Sequence, residues 1–234
     1  MKRFLAVILL VACVATSFAQ AKGGKNLSRF DSRKYHFGFA LAGNQSSFFL
    51  TRTANFSFND SILGIDLKPQ AGFNLSIIAS FNPIKNINLR FAPGLAFQDR
   101  TLSYRLLRSN GTVNVQDKPI SSVWLEIPLI VKFRTDRSGN MDAYGIFGAK
   151  YARDMQSQKD VSLTSSTLVK IKNTDYCIEA GGGLDFYLPY FKLALEFKTS
   201  IGLRNLLIND NTIYSNAISQ LRSRSFVFSI TFEG

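Results

Sequence analysis

Cysteine is nearly absent: the chain has two in 234 residues, Cys13 and Cys177. Cys13 falls in an N-terminal apolar run that reads as a cleaved leader. The mature chain then keeps one thiol and can form no internal disulfide, so stability must come from hydrogen bonding and packing. Histidine is scarcer still, with His36 alone. A transition-metal site needs several His, Cys or carboxylate ligands at suitable spacing, and this chain does not supply them. Asp99, Asp154, Asp160 and Asp210 are scattered along the sequence. No Gly-rich phosphate loop is present; Gly181, Gly182 and Gly183 sit inside a strand pattern, where they permit bending or close packing. No cofactor is expected. Beyond the leader there is no apolar run near the roughly 20 residues that a membrane-spanning helix needs. If the chain crosses a membrane, it must do so as a closed barrel, because only helices and barrels satisfy every backbone group in lipid. Acidic residues are few, 16 against 28 Lys and Arg, for a net charge of +12. Basicity can signal nucleic acid, but an exported β-protein rarely meets any, and no nucleic-acid partner is expected. Phosphate-bearing lipid headgroups are the nearer match; a solvated basic surface is the alternative.

The leader itself is well marked. Lys2 and Arg3 precede an apolar run over residues 4–15, and Ser17-Phe18-Ala19 offers small residues before a cut, the pattern of a secretory signal peptide removed after Ala19. A lipoprotein reading, in which Leu10-Val11-Ala12 forms a lipobox and Cys13 carries the lipid, is the rival; it leaves an unusually short leader. The expected organisation is a signal peptide over 1–19, a polar flexible lead-in over 20–34 and one domain over 35–234.

What the sequence has in quantity is alternation. In the segment 121–134, Val123, Leu125, Ile127, Leu129, Val131 and Phe133 share one face, and Trp124, Glu126, Pro128, Ile130, Lys132 and Arg134 the other. Period two places alternate side chains on opposite faces of a strand. The same pattern recurs over 35–42, 70–81, 87–98, 175–188, 191–204 and 225–232, and less clearly over 142–151, where Tyr144 and Ile146 compete with Phe147 and Tyr151 for the outer face. Near Asp99 the phase slips and Leu102, Tyr104 and Leu106 take over the apolar face, as a β-bulge would cause. Connections alternate strictly: long over 43–68, 105–120, 154–174 and 205–223, short over 82–86, 135–140 and 189–190. Alternating long and short connections are the outer-membrane barrel pattern. Faces of Gly, Ala and Ser fit the cramped lumen of eight strands, whereas the Phe, Leu and Ile faces are too bulky to fit inside. This argues against a lipocalin-like soluble barrel. The expected fold is all-β, an eight-stranded antiparallel transmembrane β-barrel of outer-membrane type, located in the outer membrane.

Trp124-Leu125-Glu126-Ile127-Pro128-Leu129-Ile130-Val131-Lys132-Phe133, with Tyr144-Gly145-Ile146-Phe147-Gly148 and the run 180–186, resembles the outer-membrane β-barrel family common in Bacteroidetes. As a whole the chain is similar to the PorT-like group, associated with type IX protein secretion and, in such bacteria, with gliding motility. The resemblance implies a non-enzymatic component with protein partners in the secretion machinery. It brings no catalytic or binding residues. A generic structural or small-solute barrel is the alternative.

Two groups of charges remain to be placed. Arg90, Glu126, Lys132, Glu179, Asp185, Lys192, Glu196, Lys198 and Arg204 fall on inward faces. Isolated charges in a narrow lumen are costly, so these should pair, making a salt-bridged plug in preference to an ion path. Arg100, Arg105, Arg108, Lys118, Arg153, Lys159, Lys170, Lys172, Arg222 and Arg224 fall at the loop end, where lipopolysaccharide phosphates could meet them. A lipid-modifying enzyme built on His36 would need a Ser and an acidic partner in hydrogen-bond reach; nothing near it in sequence suggests one, and no catalytic residue is expected.

Overall fold

The computed structural model describes residues 24–53, 62–107, 112–156, 171–209, 215 and 217–234. The leader and its cleavage site, together with Arg108, Lys159, Asp160, Lys170 and Asp210, lie outside these, and of Lys118 only the backbone is described. The strands are β1 Tyr35–Arg52, β2 Ile62–Ile84, β3 Ile87–Phe91, β4 Gly94–Leu107, β5 Val113–Arg134, β6 Met141–Asp154, β7 Thr174–Tyr187, β8 Lys192–Gly202 and β9 Ile218–Glu233. All pairings are antiparallel, and β9 returns to pair with β1 from Gly38↔Glu233 upward, which closes the ring. β3 and β4 are two halves of one crossing, both pairing with β2 and β5. The break falls at Ala92-Pro93, where proline has no N–H to give to a ladder. The result is an antiparallel barrel of eight crossings.

The wall is turned inside out relative to a soluble protein. Phe37, Ile77, Leu129 and Phe228 are 65, 68, 51 and 52 % exposed, while Arg90, Lys132, Lys192 and Glu179 are buried. Aromatic rings stack across neighbouring strands on this outer face, as in Phe73–Phe97 (4.4 Å) and Phe39–Phe232 (5.0 Å). A continuous apolar band of this kind has no place on a protein surrounded by water; lipid is its solvent. Leu129 and Leu195 lie near mid-height of the band. Leu129→Arg and Leu195→Arg are each expected to lower stability by roughly 2–4 kcal/mol, the depth-dependent cost of a charge at the bilayer midplane. Equilibrium unfolding in lipid vesicles measures this, and neutral substitutions there would refute the face assignment.

Three features differ from the sequence reading. First, β4 keeps one phase against β5 from Gly94↔Glu126 to Leu107↔Val113. Leu102 and Tyr104 therefore point inward, fully buried, and do not join the lipid face. The bulge lies on the neighbouring strand: β2 pairs Pro69 with Arg100 and Phe73 with Phe97, carrying one more residue than β4 between those pairs. Second, much of the long connections is strand. β1 runs to Arg52, β4 and β5 pair to Leu107↔Val113, and β9 starts at Ile218. Above the membrane band both faces are mixed, with Val113 and Val115 outward and Leu102 and Tyr104 inward, so the alternation is lost to the eye. Third, the lead-in is not free from Gly24 onward. It forms turns in which Phe30 is 2 % exposed, packed on His36 (4.7 Å) and Tyr187 (6.0 Å) at the short-turn end.

Candidate functional site: a filled lumen closed at both ends

Along the lumen, five cations and five carboxylates on six strands are joined in ion pairs. Arg90 on β3 bridges Glu196 on β8 (2.7 Å) and Glu233 on β9 (3.0 Å). Lys192 joins Glu233 to Asp185 (3.2 Å each), and Lys132 meets Asp185 at 2.7 Å. Higher in the barrel, Lys150 bridges Glu126 (2.7 Å) and Glu179 (3.1 Å), and Lys198 meets Glu179 at 2.9 Å. Neutral groups complete the set. Tyr144 donates to Glu196 (3.0 Å), and the Lys132 ammonium stands 3.5 Å from the Tyr144 ring centre. Gly183 makes room for that ring: a Cβ there would lie 2.6 Å from the Tyr144 hydroxyl. His36 Nε2 lies 2.7 Å from Glu233 Oε2. One partner left alone in such a place would cost several kcal/mol; pairing in chains is what makes the lumen tenable.

The loop end is closed by apolar packing. Phe48, Leu102, Tyr104, Trp124, Leu206 and Leu221 belong to one buried cluster inside the wall. The short-turn end is closed by the lead-in. Asp31 pairs with Arg134 (3.1 Å), Tyr187 donates to Asp142 (2.7 Å), and Asn26 Nδ2 donates to the Tyr187 carbonyl (3.0 Å). Beside it Lys85 donates to Asp136 (3.0 Å) and holds that carboxyl below its ordinary range. These two side chains are 71 and 76 % exposed, so solvent screens the pair and it adds little.

The structure brings together Arg90, Glu126, Lys132, Glu179, Asp185, Lys192, Glu196 and Lys198 in the two chains of ion pairs. Arg204 stands apart: it lies beyond the end of β8 and donates to the Thr174 side chain and carbonyl. Sequence reasoning missed Lys150, Glu233 and His36 as members. Glu233 continues the inward row of Ser225, Val227, Ser229 and Thr231 by one step, so its signal was present. Lys150 sits on β6, where the two faces are hardest to tell apart by sequence.

Of the rim candidates, Arg153 and Arg224 are exposed, Arg222 is half-buried, and Arg105 is exposed and paired with Asp66 at 3.2 Å. Lys172 donates to the Asn205 carbonyl (3.0 Å). Arg100 is a correction. It is 3 % exposed, points into the barrel between the rings of Phe48 (4.8 Å) and Trp124 (5.8 Å), and donates to Gln98. The phase slip expected at Asp99 had placed it outside; the unbroken phase of β4 places it inside, where it cannot touch a lipid phosphate.

With this geometry in hand, the comparisons with known proteins are clear at one level. The family described as "Outer membrane protein beta-barrel domain" matches residues 18–207, and the chain belongs to it. No curated protein matches. Among solved structures the chain is similar to Neisserial surface protein A (13 % identity, 83 % of this chain and 95 % of that one, TM-score 0.43). It is also similar to the outer membrane protein OprG from Pseudomonas aeruginosa (11 %, 85 % and 93 %, 0.48). A third is Ail, the attachment invasion locus protein of Yersinia pestis, solved with the heparin analogue sucrose octasulfate (10 %, 86 % and 100 %, 0.39). Likenesses this distant say nothing of function. The protein is an outer-membrane β-barrel.

Proposed function

We propose that the chain is a non-conducting, non-enzymatic barrel that serves type IX protein secretion through contacts made by its ends and outer surface. One observation carries the non-conducting part: the lumen is full. The space left beside Arg90 and Glu196 is about 40 Å³, and that beside Arg100 and Lys150 about 10 Å³. A single water needs about 10–15 Å³ of such volume, so these hold a few waters at most. Conduction would also require breaking buried ion pairs. The secretion part rests on the resemblance of the chain as a whole to PorT-like barrels; the segments around Trp124, Tyr144 and Gly182 mark the barrel family alone. Partners are then components of that machinery, and Arg153, Arg222 and Arg224 are the rim positions open to lipopolysaccharide phosphate.

His36 is assigned no catalytic role. Its ring lies against Phe30 and Glu233 inside the short-turn end, with no serine hydroxyl among its described contacts. Removing the protein is expected to strand type IX cargo in the periplasm without general loss of outer-membrane integrity. A folded His36→Ala protein is expected to go on exporting it. Cargo activity in medium against periplasm measures both. Unchanged export in the deletion strain would leave a structural barrel as the reading. Lost export with folded, abundant His36→Ala protein would revive the enzyme.

A further inference from the structure

The wall has a window. β1 and β2 pair from Tyr35↔Phe81 to Ser46↔Gln70 and no further. Both strands continue, but apart: β1 stays with β9 as far as Arg52↔Ile218, and β2 stays with β4 as far as Ile62↔Leu106. The local sequence accounts for the parting. One more step of the register would set Ser47 opposite Pro69, which has no N–H to donate. The β2 bulge then turns the strand towards β4. Gly72 permits the close approach at its base: a Cβ there would lie 2.1 Å from the Phe97 carbonyl oxygen and 2.9 Å from the Asn44 side chain. Asn44 in turn donates to that carbonyl (3.1 Å), fixing the lower edge. At the upper edge Arg52 reaches across to the Ile65 carbonyl (3.4 Å).

The opening holds a cavity of about 370 Å³, in the range of small-molecule sites. Phe48, Leu67 and Pro69 line it from the inner side, Phe49 and Phe226 from the outer. Gln45 and Ser47 are its neutral polar lining residues, and Arg224 is its one charge. Arg224 lies where the apolar band ends. Below it on β9, Phe226, Phe228, Ile230 and Phe232 face lipid; at and above it the outward residues are Arg224 and Arg222. Among the described residues no carboxylate pairs with Arg224. The Nε of Arg222, opposite Phe49, is buried with no hydrogen-bond partner among them. A mainly apolar slot in the wall, opening beside two arginines where the apolar band ends, has the chemistry of an amphiphile site.

We propose that this window binds a single-chain anionic amphiphile of the fatty-acid type, its chain in the slot against Phe48 and Leu67 and its carboxylate on Arg224. The proposal is independent of any part in secretion. The probe is 9,10-dibromostearate, since bromine quenches tryptophan on contact. The reporter is a Phe48→Trp substitution in a Trp124→Phe background, folded in maltoside micelles and checked by heat-modifiable migration. We expect saturable quenching, weakened at least about tenfold in Arg224→Glu and kept in Arg224→Lys. The uncharged methyl ester is expected to bind more weakly than the acid. The native protein, with Trp124 at the inner end of the same apolar cluster, serves as a second reporter should the engineered one not fold. No saturable quenching of either tryptophan would overturn the site. Equal quenching by acid and ester, or binding unchanged in Arg224→Glu, would overturn the role of the arginine.

Discussion

Deletion of residues 225–234 is expected to abolish insertion altogether. This segment is the seam of the barrel. On one side it pairs with β1 from Gly38↔Glu233 to Ser46↔Ser225, and on the other with β8 from Lys192↔Glu233 to Ser200↔Ser225. Removing it leaves two strand edges open at membrane depth. Each backbone group unsatisfied in hydrocarbon costs several kcal/mol. A folded domain is stable by only about 5–15 kcal/mol in all, so a handful of such groups exceeds the whole. The deletion also takes away Glu233, and with it a partner of Arg90, Lys192 and His36. Heat-modifiable migration in gels and recovery in the outer-membrane fraction give the readout. A truncated protein that migrates as a compact barrel would mean that some other strand closes the ring.

The crossings and their faces were legible from alternation, because a membrane wall separates its two solvents more sharply than a soluble sheet does. Outward Phe and Leu beside inward Gly, Ala and Glu left no ambiguity from Tyr35 to Leu41 or from Leu193 to Phe197. The reading failed where that contrast fades. Above the membrane both sides of the wall are mixed: Leu102 and Tyr104 are apolar because they fill the inside of the loop end, not because they meet lipid. An apolar row that changes solvent without changing phase looks like a phase slip, and Arg100 was misplaced with it. The bulge that does exist lies on β2, where its signs in sequence are Pro69 and Gly72. Sequence spacing can suggest which charges face inward, but not which will touch. Arg90 and Glu233 are 143 residues apart and meet only because the ring closes. The five cations and five carboxylates of the lumen's ion-pair chains cancel one another, so these ten residues contribute nothing to the net charge of +12.

Arg90→Met is expected to lower stability by roughly 3–5 kcal/mol, the range for breaking a buried ion pair by removing one partner. The residue is the sole bridge between Glu196 and Glu233, and its side chain is 2 % exposed. Without it Glu233 keeps Lys192 and His36, but Glu196 keeps only the Tyr144 hydroxyl among the polar partners described for it. The loss is therefore mainly that of a stranded Glu196 carboxylate, and this has two consequences. Arg90→Lys should restore stability only in part, because an ammonium is a point charge and cannot fork to two carboxylates as a guanidinium does. Glu196→Gln added to Arg90→Met should recover part of the loss, since the stranded charge is gone; contacting pairs of this kind couple by about 0.5–3 kcal/mol. Urea unfolding in lipid vesicles, followed by Trp124 emission, resolves differences of this size. Three variants in the order Arg90→Met, double variant, wild type would place the stabilising role in the pairing itself. A double variant no more stable than Arg90→Met would show instead that Arg90 acts by filling space, and that the lumen is held by packing more than by charge.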